Sequence, residues 1–422
     1  MRILLIGSGG REHAIAWKLA QSKKLEKLFI TPGNAGTHLL GTNVDIGVND
    51  FEKIGVLAIK ERIEMVIVGP EEPLVKGLHD YFLANKNLAT IPVIGPTKDG
   101  ALLEGSKDFA KQFMVRHNIP TARYKSFTAS TIKEAYSFLD TLTPPYVLKA
   151  DGLAAGKGVL ILDDKTQARK ELELMFGGKF GQAGSTVVIE EFLKGIELSV
   201  FALTDGKSYV ILPEAKDYKR VGVADSGLNT GGMGAVSPVP FADEKFMNKV
   251  KQRVIIPTIE GLQKDNIFYR GFVFFGLINV EGEPFVIEYN VRLGDPETEA
   301  VMPRIKNDLV ELFEATAQAT LSDIDLDIDS RTVTTVMLVS GGYPGSYQNG
   351  KIITNLIEIK DSMLFHSGTK LSGDNVVTNG GRVLAISSYG SSIKNALLTS
   401  NKNATVVNFE GKYYRKDIGF DL

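Results

Sequence analysis

Four apolar runs mark the first hundred residues: RILLIG (2–7), KLFITPG (27–33), EMVIVGP (64–70) and IPVIGP (91–96). Each stops at glycine or proline, and helical segments separate them, the first from about Glu12 to Gln21 with Ile15, Ala16 and Leu19 on one side. Runs that are apolar throughout, instead of alternating apolar and polar, belong to strands buried on both faces. With helices between them they indicate a parallel sheet covered on each side. No other feature restricts the fold so tightly, because parallel strands need crossover connections long enough to hold a helix.

The character changes near Glu104. A helix over 106–118 stops before Pro120, and a small unit follows. It contains a helix from near Ser130, strand PYVLKA (145–150), a glycine loop, strand GVLILD (158–163) and strand TVVIEEFL (186–193). From 195 the pattern turns antiparallel: IELSVFAL, a turn at Thr204-Asp205-Gly206-Lys207, then SYVILPEA. A long helix (243–264) precedes GFVFFGLINV (271–280), a turn at 281–283 and VIEYNVR (286–292). A helix over 308–320 and the acidic stretch SDIDLDIDS (322–330) suggest a hinge into a last unit of strands TVTTVMLVSGG and GRVLAISSYG and a helix near 391–400. A length of 422 residues accommodates this as several domains.

Composition removes several kinds of chemistry. With no cysteine there is no disulfide, thiolate metal site or cysteine nucleophile. A net charge of -2 offers no electrostatic case for nucleic acid. The longest apolar run, 271–280, is far short of the ~20 residues of a membrane span. A cytoplasmic globular protein is the expectation.

Forty-three glycines cluster in loops, and three loops carry chemistry. GSGGREH (7–13) joins a strand to a helix, where backbone amides and the helix dipole favour an anion. Three readings stay open: an anion site, a tight turn, or a dinucleotide site. Two features oppose the dinucleotide: Glu12 stands where the third glycine of G-x-G-x-x-G belongs, and the second strand ends in Thr31-Pro32-Gly33 without an acidic residue for a ribose. Arg11 and PGNAGT (32–37) favour a phosphate monoester.

KADGLAAGKGV (149–159) joins two strands, and Val159 replaces the magnesium-binding hydroxyl of a P-loop. It is either a mobile surface hairpin or a flap folding over phosphates. Lys149, ending an apolar strand, favours the flap. NTGGMGAVSP (229–238) is a third such loop.

Side chains alternate across a strand, so Glu288, Asn290 and Arg292 should share one face. Two hard oxygen donors one pleat apart suit magnesium, which keeps waters and substrate phosphates as its other ligands. Arg292 would neutralise a developing anion or clamp a carboxylate. The competing reading is an exposed edge strand with a polar face.

GSGGREHA, PGNAGT, VGPEEPLVKG, LEGSK, KADGLAAGKGV, NTGGMGAVSP, IEYNVRLGDPETE, GGYPG, VVTNGGRVL and RKDIGF, in this order and spanning nearly the whole chain, resemble the glycinamide ribonucleotide synthetase family of ATP-grasp enzymes. The resemblance implies an α/β and α+β multidomain protein: an N-terminal parallel-sheet (pre-ATP-grasp) substrate domain (1–103), an ATP-grasp domain (104–325, with lid 122–193 and catalytic core 194–325) and a small C-terminal domain (326–422). It implies ATP-dependent joining of glycine to 5-phosphoribosylamine through glycyl phosphate, in purine biosynthesis. The cofactor would be Mg2+ or Mn2+ at Glu288 and Asn290. ATP would be held by Lys107, Lys149, Gly156, Lys157, Gly158, Glu190, Glu191, Leu193 and Glu197. Glu190, with the backbone of Glu191 and Leu193, would read adenine, and Glu197 the ribose. Catalysis would fall to Arg292, Lys149 and Asp295. Substrate contacts would come from Gly9, Gly10, Asn34, Glu71, Asp217, Lys219 and Arg292. The partners are small molecules, with no nucleic acid or membrane, and a monomer is expected.

Two positions depart from the pattern of related enzymes. Phe275-Gly276-Leu277 lacks the further metal carboxylate found upstream in many of them, and Tyr218 stands where some carry an imidazole. Three other readings remain: a formate- or bicarbonate-dependent ATP-grasp ligase, an NAD-dependent oxidoreductase built on the first sheet, and a nucleotide sensor without catalysis.

Overall fold

A computed structural model describes residues 1–153 and 158–422. The four apolar runs form one parallel sheet, with the short strand Thr42–Asn43 added at its edge. The order is Thr42–Asn43, Lys27–Pro32, Arg2–Gly7, Met65–Val68, Val93–Ile94. Ile3, Leu4, Leu5 and Ile6 are fully buried, with Ile3 and Leu5 in one core cluster and Leu4 and Ile6 in another. Both faces of the strand are therefore covered, which is why its sequence shows no alternation.

The segment 124–191 is a four-stranded antiparallel sheet in the order Tyr124–Thr128, Thr186–Glu191, Tyr146–Ala150, Val159–Leu162. It keeps its own core, in which Phe127, Leu139, Leu148, Leu172, Met175 and Ile189 pack together. A unit with a separate core can move as a body without opening its neighbours.

Eight further strands form one antiparallel sheet: Glu283–Asn290, Gly271–Val280, Ile196–Thr204, Tyr209–Asp217, Gly234–Ser237, Thr332–Val339, Arg382–Gly390, Met363–His366. Arg220–Gly222 with Ser226–Asn229, and Thr369–Ser372 with Asn375–Thr378, are two small hairpins beside it. The glycine-loop segment Gly234–Ser237 is the splice, pairing with Tyr209–Asp217 on one side and Thr332–Val339 on the other. The acidic stretch is not free to act as a hinge. Asp329 N donates to Arg304 O at 2.7 Å, Lys306 N donates to Asp327 O at 2.9 Å, and Asp327 N donates to Asn307 Oδ1 at 2.7 Å. The C-terminal strands thus continue the sheet that carries VIEYN. Among the described residues no helix is long and apolar enough to cross a membrane.

Candidate active site

The three sheets meet around a cleft of about 790 Å³. Its floor is the exposed face of the eight-stranded sheet. Ser199 pairs with Gly276, and Gly276 with Glu288, so one row across three strands runs hydroxyl, bare backbone, carboxylate. Gly276 is the position noted in the sequence for its missing carboxylate. A Cβ there would sit 3.0 Å from Glu288 Cγ, so the site needs the gap as it stands.

Glu288 reaches this face because the strand bulges. Gly276 opposes Glu288 but Leu277 opposes Val286, leaving Ile287 as the extra residue. The bulge sends Val286 into the core, where it is fully buried, and keeps Glu288 and Asn290 together in the cleft. Arg292 arrives differently from the expected alternation: the strand ends at Asn290, and Arg292 lies in the bend beyond it. It is held there by Glu104 (Nη2–Oε1, 2.8 Å) and Glu71 (Nε–Oε2, 3.3 Å), and its Nη2 donates to Asn290 Oδ1 at 3.1 Å. Burial pushes the Glu104 carboxyl up, whereas at Glu71 the opposing charges of Arg292 and Arg11 outweigh burial and hold it low.

Glu288 and Asn290 supply two oxygen donors, and among the described residues no group of three or more His, Asp or Glu could hold a metal alone. This fits magnesium, which completes its shell with water and phosphate oxygen. Asn290 Oδ1 keeps a second lone pair beside the one given to Arg292.

The opposite wall is the end of strand Tyr146–Ala150 with the described residues of the loop that follows it. Lys149 lines the cleft, as do Gly152, Leu153, Gly158 and Val159. Asp151 accepts hydrogen bonds from Ser106 Oγ and Asp108 N, both at 3.2 Å, which anchors the loop to the start of helix Lys107–Arg116. Lys107, on that first turn, donates to Gly152 O at 3.1 Å, and burial lowers its pKa. Lys149 and the Glu288–Asn290 pair therefore face one volume. Gly156 and Lys157 fall outside the described residues.

Glu190 also lines the cleft, but its carboxylate is committed. Oε1 lies 2.9 Å from Lys149 Nζ and Oε2 lies 2.9 Å from Lys111 Nζ. The side chain expected to read adenine thus stands between two lysines. Glu191 turns its carboxylate to Arg123 N at 2.8 Å, and neither Glu191 nor Leu193 lines the cleft with a side chain. Glu197 and Lys219, paired at 2.8 Å, stand at its mouth beside Asp217. The Lys219 ammonium is raised well above its usual value by Asp217 and Glu197. Burial, with Asp217 nearby, pushes Glu297 up to about 7, and Ser199 Oγ donates to its Oε1 at 3.2 Å. Tyr218 points away, donating to Asp421 at 2.8 Å.

Of the first glycine loop only Arg11 is among the described residues that line the cleft, and its glycines are not. Gly9 N donates to Glu12 Oε2 at 2.6 Å, and a side chain at Gly7 or Gly69 would collide with Glu12. The anion cradle is filled by the protein's own carboxylate, which also accepts from Arg11 Nε at 2.6 Å. Gly10 is there for packing, since a Cβ would overlap Glu299 and Ser367. Asn34, expected at the substrate, ties loops together instead. Its amide donates to Ser8 O at 2.8 Å and His366 O at 2.7 Å, and its oxygen accepts from Gly36 N and Thr37 N. From the N-terminal part of the chain, Arg11, Pro70, Glu71, Leu103 and Glu104 line the cleft.

Sequence reasoning missed Glu104, Lys111, Glu297, Tyr343 and Arg382, all of which line the cleft. Arg382 Nη1 donates to Gly231 O and Asp295 O, both at 2.6 Å, and pairs with Asp295 Oδ1 at 3.1 Å. Tyr343 OH accepts from Gly231 N at 3.0 Å. The motifs GGYPG and NGGRVL were visible, but nothing local to them announces that the third glycine loop lies beside them.

Comparison with known proteins agrees with this layout. Models of phosphoribosylglycinamide synthetase match the chain as N domain (residues 1–104), ATP-grasp (A) domain (105–298) and C domain (333–421). A phosphoribosylamine–glycine ligase of Vibrio cholerae is 45% identical over 426 residues, covering 100% of this chain and 98% of that protein. The crystal structure of the Thermotoga maritima phosphoribosylamine–glycine ligase superposes with a TM-score of 0.86 at 36% identity, covering 99% of this chain and 100% of that one. A Campylobacter jejuni biotin carboxylase shares the fold, with a TM-score of 0.75 at 14% identity over 99% of this chain and 93% of that one.

Proposed function

The chain belongs to the phosphoribosylglycinamide synthetase family, and from that premise we propose a role for each group in the cleft. The reaction is the ATP-dependent ligation of glycine to 5-phosphoribosylamine, giving glycinamide ribonucleotide, ADP and phosphate in purine biosynthesis. A glycine carboxylate oxygen attacks the γ-phosphorus, the bond to the β-phosphate oxygen breaks, and ADP leaves. The amine nitrogen then attacks the carbonyl carbon of glycyl phosphate, the C–O bond to phosphate breaks, and the amine gives up a proton.

The observation that carries this reading is the convergence of Lys107 and Lys149 with Glu288, Asn290 and Arg292 on one cleft. Phosphoryl transfer is mostly positioning and charge neutralisation. Lys107 and Lys149 would hold phosphate oxygens, with Gly158 beside them in the cleft wall. The backbone of Glu190, Glu191 and Leu193 would meet adenine, and Glu197 the ribose. Arg292, spread over Glu71, Glu104 and Asn290, would be preset to meet charge developing on the transferred group. Asp295 would position the second half of the site through Arg382. Asp217, Lys219 and Glu71 would contact the amine and glycine, while Gly9, Gly10 and Asn34 would act only by shaping the walls. Magnesium, or manganese with the same oxygen preference, held by Glu288 and Asn290 would neutralise phosphate charge. The protein would work as a cytoplasmic monomer.

The test is ADP release by purified protein with ATP and Mg2+, each co-substrate omitted in turn. Release that requires both glycine and phosphoribosylamine is expected. Release with formate or bicarbonate in place of glycine would overturn the reading.

A further inference from the structure

Beside Lys149 lie two more buried charged side chains, Lys111 and Glu190, to which the reaction as proposed assigns no direct part. Lys111, one turn beyond Lys107 on the same helix, is 2% exposed, Glu190 is 3% exposed and Lys149 is 5% exposed. Lys111 Nζ pairs with Glu190 Oε2 at 2.9 Å and donates to Thr121 Oγ1 at 2.7 Å; Glu190 Oε1 pairs with Lys149 at 2.9 Å. Both ends are tied to the strand carrying the oxygen donors. Thr121 Oγ1 donates to Val286 O at 2.7 Å, and Lys149 Nζ donates to Ile287 O at 3.2 Å, the two residues preceding Glu288.

The arithmetic of these three charges is informative. Lys149 and Glu190 alone would be a neutral pair, a poor partner for a triphosphate. With Lys111 the set carries one net positive charge. Burying that second cation is costly. Burial pushes the Lys111 ammonium down to about 8 even with Glu190 beside it, and its other close neighbours are Lys149, Glu191 and the Tyr124 ring at 5.5 Å.

We propose that Lys111 is a positioning residue for the nucleotide. By engaging Glu190 it leaves the charge of Lys149 uncompensated toward the cleft and locks that lysine to the backbone presenting Glu288. The proposal rests on the reading that Lys149 meets ATP phosphates.

Its test compares binding of ATP, ADP and adenosine to wild type, Lys111→Met, Lys111→Arg, Lys149→Met and the double variant Lys111→Met/Glu190→Gln. Lys111→Met should weaken ATP roughly tenfold and ADP less, as expected for a charge acting through a protein interior. Adenosine affinity and KM for glycine should stay within about twofold, because the effect is electrostatic. The double variant removes one charge of each sign, returns the net charge to +1, and should recover most of the lost ATP affinity. Lys111→Arg should bind ATP like wild type. Parallel losses for ATP and adenosine, or no recovery in the double variant, would overturn the proposal in favour of simple packing. Should Lys111→Met not fold, Lys111→Arg and the double variant still decide by the same ATP-to-adenosine ratio. If Lys149→Met binds ATP normally, the phosphate reading itself fails; if only Lys149→Met loses ATP, the proposal alone fails.

Discussion

Glu12 is 2% exposed and gives one carboxylate oxygen to the Gly9 amide and the other to Arg11. A loop shaped to hold an anion therefore already contains one, and the cleft lies beyond it, lined at this end by Arg11 and Glu71. The sequence exposed the glutamate and the missing glycine but not their consequence, because where a carboxylate folds back is a tertiary fact. Glu288, Asn290 and Lys149 were legible for the opposite reason: polar groups on otherwise buried strands need a purpose. Replacing Glu288 with Ala should abolish turnover and leave the circular-dichroism spectrum and melting temperature close to wild type; retained activity would remove the metal assignment. At Arg292 the argument is geometric. Its guanidinium spans Glu71, Glu104, Asn290 Oδ1 and Leu293 O, which a single ammonium cannot do. Arg292→Lys should lower kcat by about a hundredfold while KM for ATP changes little, a loss typical of misplaced electrostatic stabilisation. A kcat near wild type would show that charge alone suffices.

Strands and helices were read most securely where period and burial agree. The parallel sheet, the lid strands and the long hairpin over 196–217 all follow from apolar runs and turn residues. Alternation failed at one point that matters, the bulge at Ile287. Three polar residues at even positions suggested one straight face, whereas the strand gains a residue before Glu288 and ends before Arg292. A bulge leaves no local signature here, since Val-Ile-Glu is ordinary strand sequence. Helix Gly10–Leu19 shows a comparable limit. Its first glycine suggested ligand contact, yet the space above it is filled by Glu299, fully buried on helix Glu297–Val301, and by Ser367. Gly10→Ala should therefore act on stability, lowering the urea midpoint by an amount equivalent to about 1–3 kcal/mol through overpacking. KM for 5-phosphoribosylamine should move little in the folded variant. A stable variant with a strongly raised KM would return Gly10 to the substrate site.

At the scale of the molecule, the N-terminal, four-stranded and eight-stranded sheets enclose the cleft together, and the seam between the two ends of the chain holds a pair of buried histidines. His13, on helix Gly10–Leu19, accepts at Nδ1 from His366 N at 2.7 Å, and His366 Nδ1 lies 3.0 Å from Thr369 Oγ1. The histidines are 6% and 5% exposed, and His13 packs edge-on against Phe365 with ring centroids 5.7 Å apart. No sequence pattern pairs residues this far apart. Burial, with His366 close by, pushes His13 down to about 3, and burial pushes His366 down to about 4. A proton on His13 Nδ1 would also face the amide that now donates to it. Both groups bind protons less readily in the folded chain than in the unfolded one, so their linkage costs nothing above the usual histidine pKa of ~6.5 and destabilises as pH falls below it. At pH 5 each contributes a loss of about 2 kcal/mol, from roughly 1.5 pH units at ~1.36 kcal/mol each. Thermal unfolding should therefore show a midpoint that drops steeply between pH 6.5 and 4. His13→Gln, which can still accept from the His366 amide, should flatten part of that slope while costing some stability at pH 7.5. An unchanged slope in this variant would mean that the acid sensitivity resides in the cleft carboxylates and not in the seam joining the two ends of the chain.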